Sequence, residues 1–504
     1  MRLDEYTNFD AVALGSLVRT GQVAATELAQ LACAAIEAIN PQLNAIIGMT
    51  PREMSAALGR QHAASAPFPG VPFLMKDLGA SLQGELQEWG SRLCRGHIAE
   101  SDAELTRRFK AAGVVTVGRT NVPEFGDPPM TEPLLYGPTH NPWHLGYSPG
   151  GSSGGAAAAV AAGIAPIAHA SDGGGSARVP AGWCGLVGMK PSRGRNPIGP
   201  DESYFVDFNV TEHIVSRTVR DCATMLDATC GPDETDFIAV PKPAVPFAEE
   251  CRRDPGKLRV AFVPSLSSGV KPASDRLEVF QAVLRQLASQ GHNLESVESP
   301  VDLDAPGTAE MLFAMYGSSG SGDELERWSE KMGRPLSLDT LELGLVYGWG
   351  PGAGDPTQET VQDRLAGNAT PFCDYQALRS GYMKWLTGVN RFFRQYDVLV
   401  TLTNAIDPPQ HGEWAYNGSF EVRAGLYEHF KQASPGVFQW NLAGHPAMTL
   451  PLGTSARGFP VGVQFVSALG GEALLYRLAA QLEQVLPWSG RRPPLHVLSA
   501  GTAK

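Results

Sequence analysis

One stretch constrains the chain more than any other. Residues Ser148 to Arg193 read SPGGSSGGAAAAVAAGIAPIAHASDGGGSARVPAGWCGLVGMKPSR. Two serines sit in glycine-rich turns, Ser152 in GGSSGG and Ser176 in GGGSARVP. Glycine on both sides of a serine opens backbone conformations closed to residues with a Cβ. It also exposes main-chain N–H groups to an approaching substrate. Between the serines lie an alanine-rich helical pattern and a short apolar run, Ile164 to Ala168. A glycine-flanked serine after an apolar strand is a candidate nucleophile, and two joined by a short helix suggest a relay.

The chain on either side reads as alternating strands and helices. Ala25 to Ile39 is dense in helix formers and is expected to stop at Asn40-Pro41. Pro67 to Leu78 gives a turn and a buried strand, and Lys76 follows its apolar run Val71 to Met75. A helix over Asp102 to Ala112 and a strand over Val114 to Asn121 complete a β–α–β rhythm with parallel pairing. Leu258 to Pro264, Asp275 to Gln290 and Asn293 to Val297 repeat that rhythm, read as the continuation of one sheet. Leu312 to Pro356 reads as irregular, with glycine-rich candidate access loops. Tyr375 to Tyr396 is a helix, Asp397 to Thr403 and Pro460 to Val466 are strands, and Glu472 to Leu486 is a closing helix. The 504 residues are taken as a single domain: a helical N-terminal layer over 1–65, a core over 66–230, and a C-terminal part with substrate loops over 258–504.

Composition narrows the function. The net charge of −12 argues against a nucleic-acid partner or an anionic membrane surface. No apolar run reaches the roughly 18 residues of a spanning helix. The acidic start MRLDEYTNFDA is not a secretory signal. Seven scattered cysteines without a CxxC pair fit reduced thiols in the cytoplasm.

A serine hydroxyl needs a base within hydrogen-bond reach to attack a carbonyl. None of the 11 histidines sits in a matching motif, and His169 is a weak alternative base. Lys76 stands after a buried strand, where desolvation disfavours its charge. The plain alternative is a core lysine paired with Asp77, or one whose ammonium reaches solvent. Asp172 and Arg178 flank Ser176 and read as a scaffold ion pair, while Ser153 supports Ser152.

Read together, VPFLMKDL around Lys76, PGGSSGG and SDGGGSARVPAGWCGLVGMKP resemble the amidase signature family of serine hydrolases. GRTNVPEFG, NPWHLG and GHPAMTLPLG extend the resemblance. TEPLLYGPTHNPWHLGYSPGGSSGG and QFVSALGGEALLYRLAAQLEQVLPW look most like the branch acting on the cyclic dimer of 6-aminohexanoate and on related lactams.

The resemblance implies an α/β fold, a large mixed, twisted sheet covered by helices on both faces. It implies Lys76 as base, Ser152 as proton relay beside a cis peptide bond, and Ser176 as nucleophile. Backbone N–H groups of Gly173, Gly174, Gly175 and Ser176 would form the oxyanion hole. Gly173 stands where the family commonly carries a larger residue. Tyr136, Tyr316, Gly317 and Trp349 are candidate substrate contacts, with plain packing as the alternative for the aromatics. The implied reaction is hydrolysis of a small-molecule amide without metal or organic cofactor, by a chain that forms a homodimer. An aryl acylamide or carbamate hydrolase, or an amidotransferase subunit, are the alternatives.

Overall fold

The computed structural model describes residues 1–199, 209–234, 236, 238, 240–302, 304–309, 311, 321–347, 353–358, 360–361, 364 and 372–499. Its frame is one mixed sheet of 11 strands. In chain order these are β1 (Ile46–Met49), β2 (Pro72–Lys76), β3 (Val115–Thr120), β4 (Ile167–Asp172), β5 (Val187–Lys190) and β6 (Thr211–Ser216), followed by β7 (Arg259–Phe262), β8 (Asn293–Ser296), β9 (Val398–Leu402), β10 (Ala447–Thr454) and β11 (Pro460–Ser467). Across the sheet the order is β1-β3-β2-β4-β6-β5-β10-β11-β9-β7-β8. β2 runs parallel to both β3 and β4, and β7 parallel to β8 and β9. The remaining neighbours are antiparallel. Both β–α–β units therefore belong to the same sheet, as their sequence rhythm implied.

Alternation of side chains along each strand puts apolar residues on both faces. In the first half of the sheet, Leu74, Val117, Ala168 and Val215 pack with the helix Gly154–Ala161. Phe73, Met75, Ile167 and Ile214 point the other way, toward Phe109 and Met225. The second half repeats the scheme. Val398, Val400 and Leu402 join the helices Ser274–Ser289 and Glu472–Val485, whereas Leu399 meets Trp440 and Phe393. Each fully buried Val, Leu or Phe contributes about 1.5–3 kcal/mol. Helices thus cover both faces, and no helix among the described residues is long and apolar enough to cross a membrane.

The alanine-rich helix Gly154–Ala161 is buried over its whole length. Small side chains are needed there because the helix lies almost on the backbone that leaves β3. A Cβ on Gly155 would come within 2.5 Å of the Asn121 nitrogen and 2.8 Å of the Ala45 carbonyl oxygen.

Three expectations are corrected. The strand after this helix starts at Ile167, because Gly163 in a left-handed conformation (φ 85°) and Pro166 use Ile164 and Ala165 as a turn. The helix expected to stop at Asn40-Pro41 runs from Ala25 to Leu43. Pro41 is tolerated in its last turn, and the Asn40 side chain accepts the Ala45 and Ile46 N–H groups beyond the end. The segment read as irregular contains the helices Ser321–Met332 and Leu343–Tyr347.

Gly155→Ala is expected to destabilise the protein by about 1–3 kcal/mol, since backbone rather than a flexible side chain must yield. A denaturant midpoint within error of the parent would show that the helix does not approach the loop this closely.

Candidate active site

β2, β3 and β4 are parallel, so their carboxyl ends open on one edge of the sheet, the usual place for a ligand crevice in such folds. Lys76 is the last residue of β2 and Asp172 the last of β4. The turn that carries Ser152 precedes the helix Gly154–Ala161, whose N-terminus lies at this same edge. The turn after β4 carries Ser176 and leads into the helix Arg178–Cys184. Residues far apart in sequence thus meet because parallel strands end together.

The Lys76 side chain is buried, with 2% of the residue exposed. Its Nζ donates to Ser152 Oγ at 2.8 Å and to Ser171 Oγ at 2.7 Å. Both partners are neutral hydroxyls. Burial therefore dominates and lowers the ammonium pKa to about 7, against the opposing pull of Glu212 and Asp172. The plain alternative, a lysine paired with Asp77, does not hold. Asp77 pairs instead with Arg119 at 2.5 Å and accepts the Glu88 N–H.

The Gly151–Ser152 peptide bond is cis. Ser153 anchors the turn twice, its N–H donating to the Ser176 carbonyl at 3.1 Å and its hydroxyl to the Ser171 carbonyl at 3.1 Å. Gly126 closes over the same turn, where a Cβ would stand 3.2 Å from Ser152 Oγ. The structure holds no hydrogen bond between the Ser152 and Ser176 hydroxyls. Ser176 is half-exposed, whereas Ser152 is buried beneath it.

Asp172 and Arg178 organise the turn between them. Arg178 is fully buried and donates Nε to Asp172 Oδ2 and Nη2 to Asp172 Oδ1, both at 2.9 Å. Its remaining donors reach Gln464, Asn441 and the Val437 carbonyl. Burial alone would raise the Asp172 pKa, but the Arg178 charge and hydrogen bonds from Arg178 and Asn441 hold it well below the usual carboxylate range. The scaffold reading of this pair fits its contacts. The same carboxylate accepts the Gly175 N–H at 2.8 Å. This corrects the oxyanion expectation for Gly175, whose donor is already engaged. Among the described residues, no acceptor meets the N–H groups of Gly173, Gly174 and Ser176.

A cleft, partly open to solvent, lies over the turn. Gly174, Gly175 and Ser176 form its floor, Gly126, Asp127 and Pro129 one wall, and Tyr427, Phe430, Lys431 and Phe438 contribute the other. Tyr136 does not line this cleft. Its hydroxyl donates to Glu88, and Arg119 lies 5.9 Å over its ring, so it is held in a polar cluster beside β3. Tyr316, Gly317 and Trp349 fall outside the described residues. His169 lies on β4 with its ring against Phe109, 5.7 Å away, and touches neither serine.

The amidase family model matches residues 27–476. The chain is 36% identical over 503 residues to the 6-aminohexanoate-cyclic-dimer hydrolase of Paenarthrobacter ureafaciens, covering 96% of each chain. The chain belongs to the amidase signature family. This amidase is also 33% identical over 495 residues to an acylamidase of Rhodococcus erythropolis, covering 96% of each. Among solved structures, that of a 6-aminohexanoate cyclic dimer hydrolase superposes with a TM-score of 0.87 at 33% identity, over 97% of this chain and 99% of the other. The family acts on carbon–nitrogen amide bonds, and this chain is an enzyme of that class.

Sequence reasoning overlooked Ser171, the second partner of Lys76. Its signal was a hydroxyl between apolar Ala170 and Asp172 at the end of a buried strand. It also overlooked Asp127 and the aromatic wall Tyr427, Phe430 and Phe438. Nothing in the spacing of those residues points to a cleft more than two hundred residues away in the chain.

Arg178→Met is expected to cost about 3–5 kcal/mol of stability, because it strands the Asp172 carboxylate without its counter-charge. Adding Asp172→Asn should recover part of that loss. Chemical denaturation of the two single variants and the double variant measures the coupling, and strict additivity would exclude a working pair.

Proposed function

We propose that this amidase works through an acyl-enzyme built by Lys76, Ser152 and Ser176, on a cyclic or linear oligoamide or a lactam. The observation that carries the catalytic part is the 2.8 Å contact of a buried, charge-disfavoured amine with Ser152 Oγ, beneath a half-exposed Ser176. Neutral Lys76 accepts the Ser152 proton while Ser152 accepts the Ser176 proton. Because the two serine hydroxyls are not hydrogen-bonded in the structure, this transfer requires the Ser176 side chain to turn toward Ser152. Ser176 Oγ then bonds to the amide carbon and the carbonyl π pair moves to oxygen. The N–H groups of Gly173, Gly174 and Ser176 hold that oxyanion, and one such donor is worth about 2.7–4 kcal/mol. Protonated Lys76 returns its proton through Ser152 to the leaving nitrogen as the C–N bond breaks. Water repeats the sequence on the ester and frees Ser176.

The substrate reading rests on likeness to the cyclic-dimer hydrolase over nearly the whole chain and on a cleft that opens over the Ser176 turn. A second reading, an acylamide, is favoured by the acylamidase relative, and the wall of Tyr427, Phe430 and Phe438 suits an aromatic leaving group.

Ser176→Ala should abolish turnover while the thermal melt stays within a few degrees of the parent. Measurable acyl-enzyme formation in that variant would remove Ser176 from the role. The parent kcat/KM should fall tenfold per pH unit below about pH 7, because only neutral Lys76 accepts a proton. Lys76→Ala should lower kcat/KM by about 10²–10⁴-fold and flatten that acidic limb. A limb that survives the substitution belongs to another group. Mass spectrometry of products from lactams, cyclic oligoamides, anilides and carbamates ranks the substrate classes, and turnover of anilides alone would favour the second reading.

A further inference from the structure

The relay just described creates a full positive charge on Lys76 in a buried site, yet its two hydrogen-bond partners are neutral. Something nearby must compensate that charge, or the proton would not leave Ser152. Among the described residues, Glu212 and Asp172 pull on the Lys76 charge, and Asp77 and Arg178 stand next to these groups in sequence or in space. Asp77, next in sequence, is bound to Arg119. Asp172 is neutralised by Arg178. Arg178 itself has the wrong sign. Glu212 is left.

Glu212 sits on β6, directly paired with Ser171 of β4 in the antiparallel register, and Ser171 is the residue that holds Lys76 Nζ. It is buried and makes no salt bridge with a lysine or arginine among the described residues. Its carboxylate accepts the Ala80 N–H, at 3.1 Å on one oxygen and 3.2 Å on the other. The turn after β2 is shaped for it. Gly79 takes a left-handed conformation (φ 89°), and a Cβ there would fall 1.9 Å from Glu212 Oε1. Three residues after Lys76, the chain therefore folds back onto this carboxylate. Behind it stands His169, with Nε2 3.5 Å from Glu212 Oε2 and no hydrogen-bond partner on either ring nitrogen. His213, the other titratable neighbour on β6, turns its Nε2 to the Cys222 carbonyl.

We propose that Glu212 is the counter-charge for protonated Lys76, a positioning residue that acts through Ser171 and through space without taking the proton itself, with His169 packed behind its carboxylate. This rests on Lys76 being the base. The electrostatic pull of Glu212 on Lys76 agrees with it, being the largest of those opposing the effect of burial.

The test is the pH dependence of kcat/KM for the parent, Lys76→Ala and Glu212→Gln. With Glu212 uncharged, protonated Lys76 is less stable, so the acidic limb of Glu212→Gln should move to lower pH by on the order of one unit. Turnover near neutral pH should fall, because the ammonium formed in acylation is no longer balanced. A purely structural role would lower the melting temperature and leave the limb where it is. Should Glu212→Gln fail to fold, Glu212→Asp retains the charge but withdraws it, and the limb should move the same way by less. A limb that stays put or moves upward in a folded variant overturns the proposal. If the limb persists in Lys76→Ala, it is the assignment of the base that fails instead.

Discussion

Taking one amine out of water is the constraint on which the rest of the site depends. An ammonium surrounded by low-dielectric protein loses hydration that two hydroxyls cannot replace, which lowers the Lys76 pKa to about 7 and suits it to the proposed role of base. That requires Lys76 to end a strand covered on both sides. β2 supplies this position, lying between β3 and β4 near the middle of one half of the sheet. A lysine at an edge strand would keep its charge and could not serve in this way.

Holding a lysine with a lowered pKa among ionisable neighbours is also a problem of charge balance. The arrangement solves it by pairing every nearby carboxylate except one. Asp77 goes to Arg119 and Asp172 to Arg178, and both pairs also fix backbone, at Glu88 and at Gly175 respectively. The Asp172–Arg178 pair serves the chemistry indirectly. By gathering the Gly175 N–H to its own side, Asp172 sets the turn so that the donors on either side of Gly175 remain unengaged. Ion pairs of this kind are weak contributors to net stability but strong determinants of one local conformation.

The same economy of space explains the small residues. Gly155 lets the alanine-rich helix lie on the backbone beyond β3, Gly126 lets a loop close on Ser152, and Gly79 lets a turn close on Glu212. Each removes a Cβ where two main chains, or a main chain and a functional group, approach within contact distance. The glycines around the serines are thus part of the packing that aligns three strand ends as well as part of the turn geometry.

Much of this was legible in the chain. Short apolar runs bounded by turn residues marked β2, β3, β4, β7, β8, β9 and β11, and the β–α–β rhythm implied parallel pairing. The glycine-flanked serines and the lysine after an apolar run marked three candidates, because those features are local, and the resemblance to the amidase signature family assigned their roles. What stayed hidden was everything decided by neighbours in space. β1, β5, β6 and β10 were not read as strands: β1, β5 and β10 are short or interrupted by glycine or proline, and β6 opens on the polar run Thr211, Glu212, His213. Tyr136 looked like a pocket residue until Arg119 and Glu88 were seen to hold it. Ser171 and Glu212 carry no motif, and their position beside Lys76 follows from the pairing of β4 with β6 and the parallel ending of β2 beside β4. The sequence by itself determined which side chains have the chemistry to attack an amide. Only the tertiary structure decided which charges face the lysine and which backbone donors are left for an oxyanion, since both depend on contacts between segments distant in the chain.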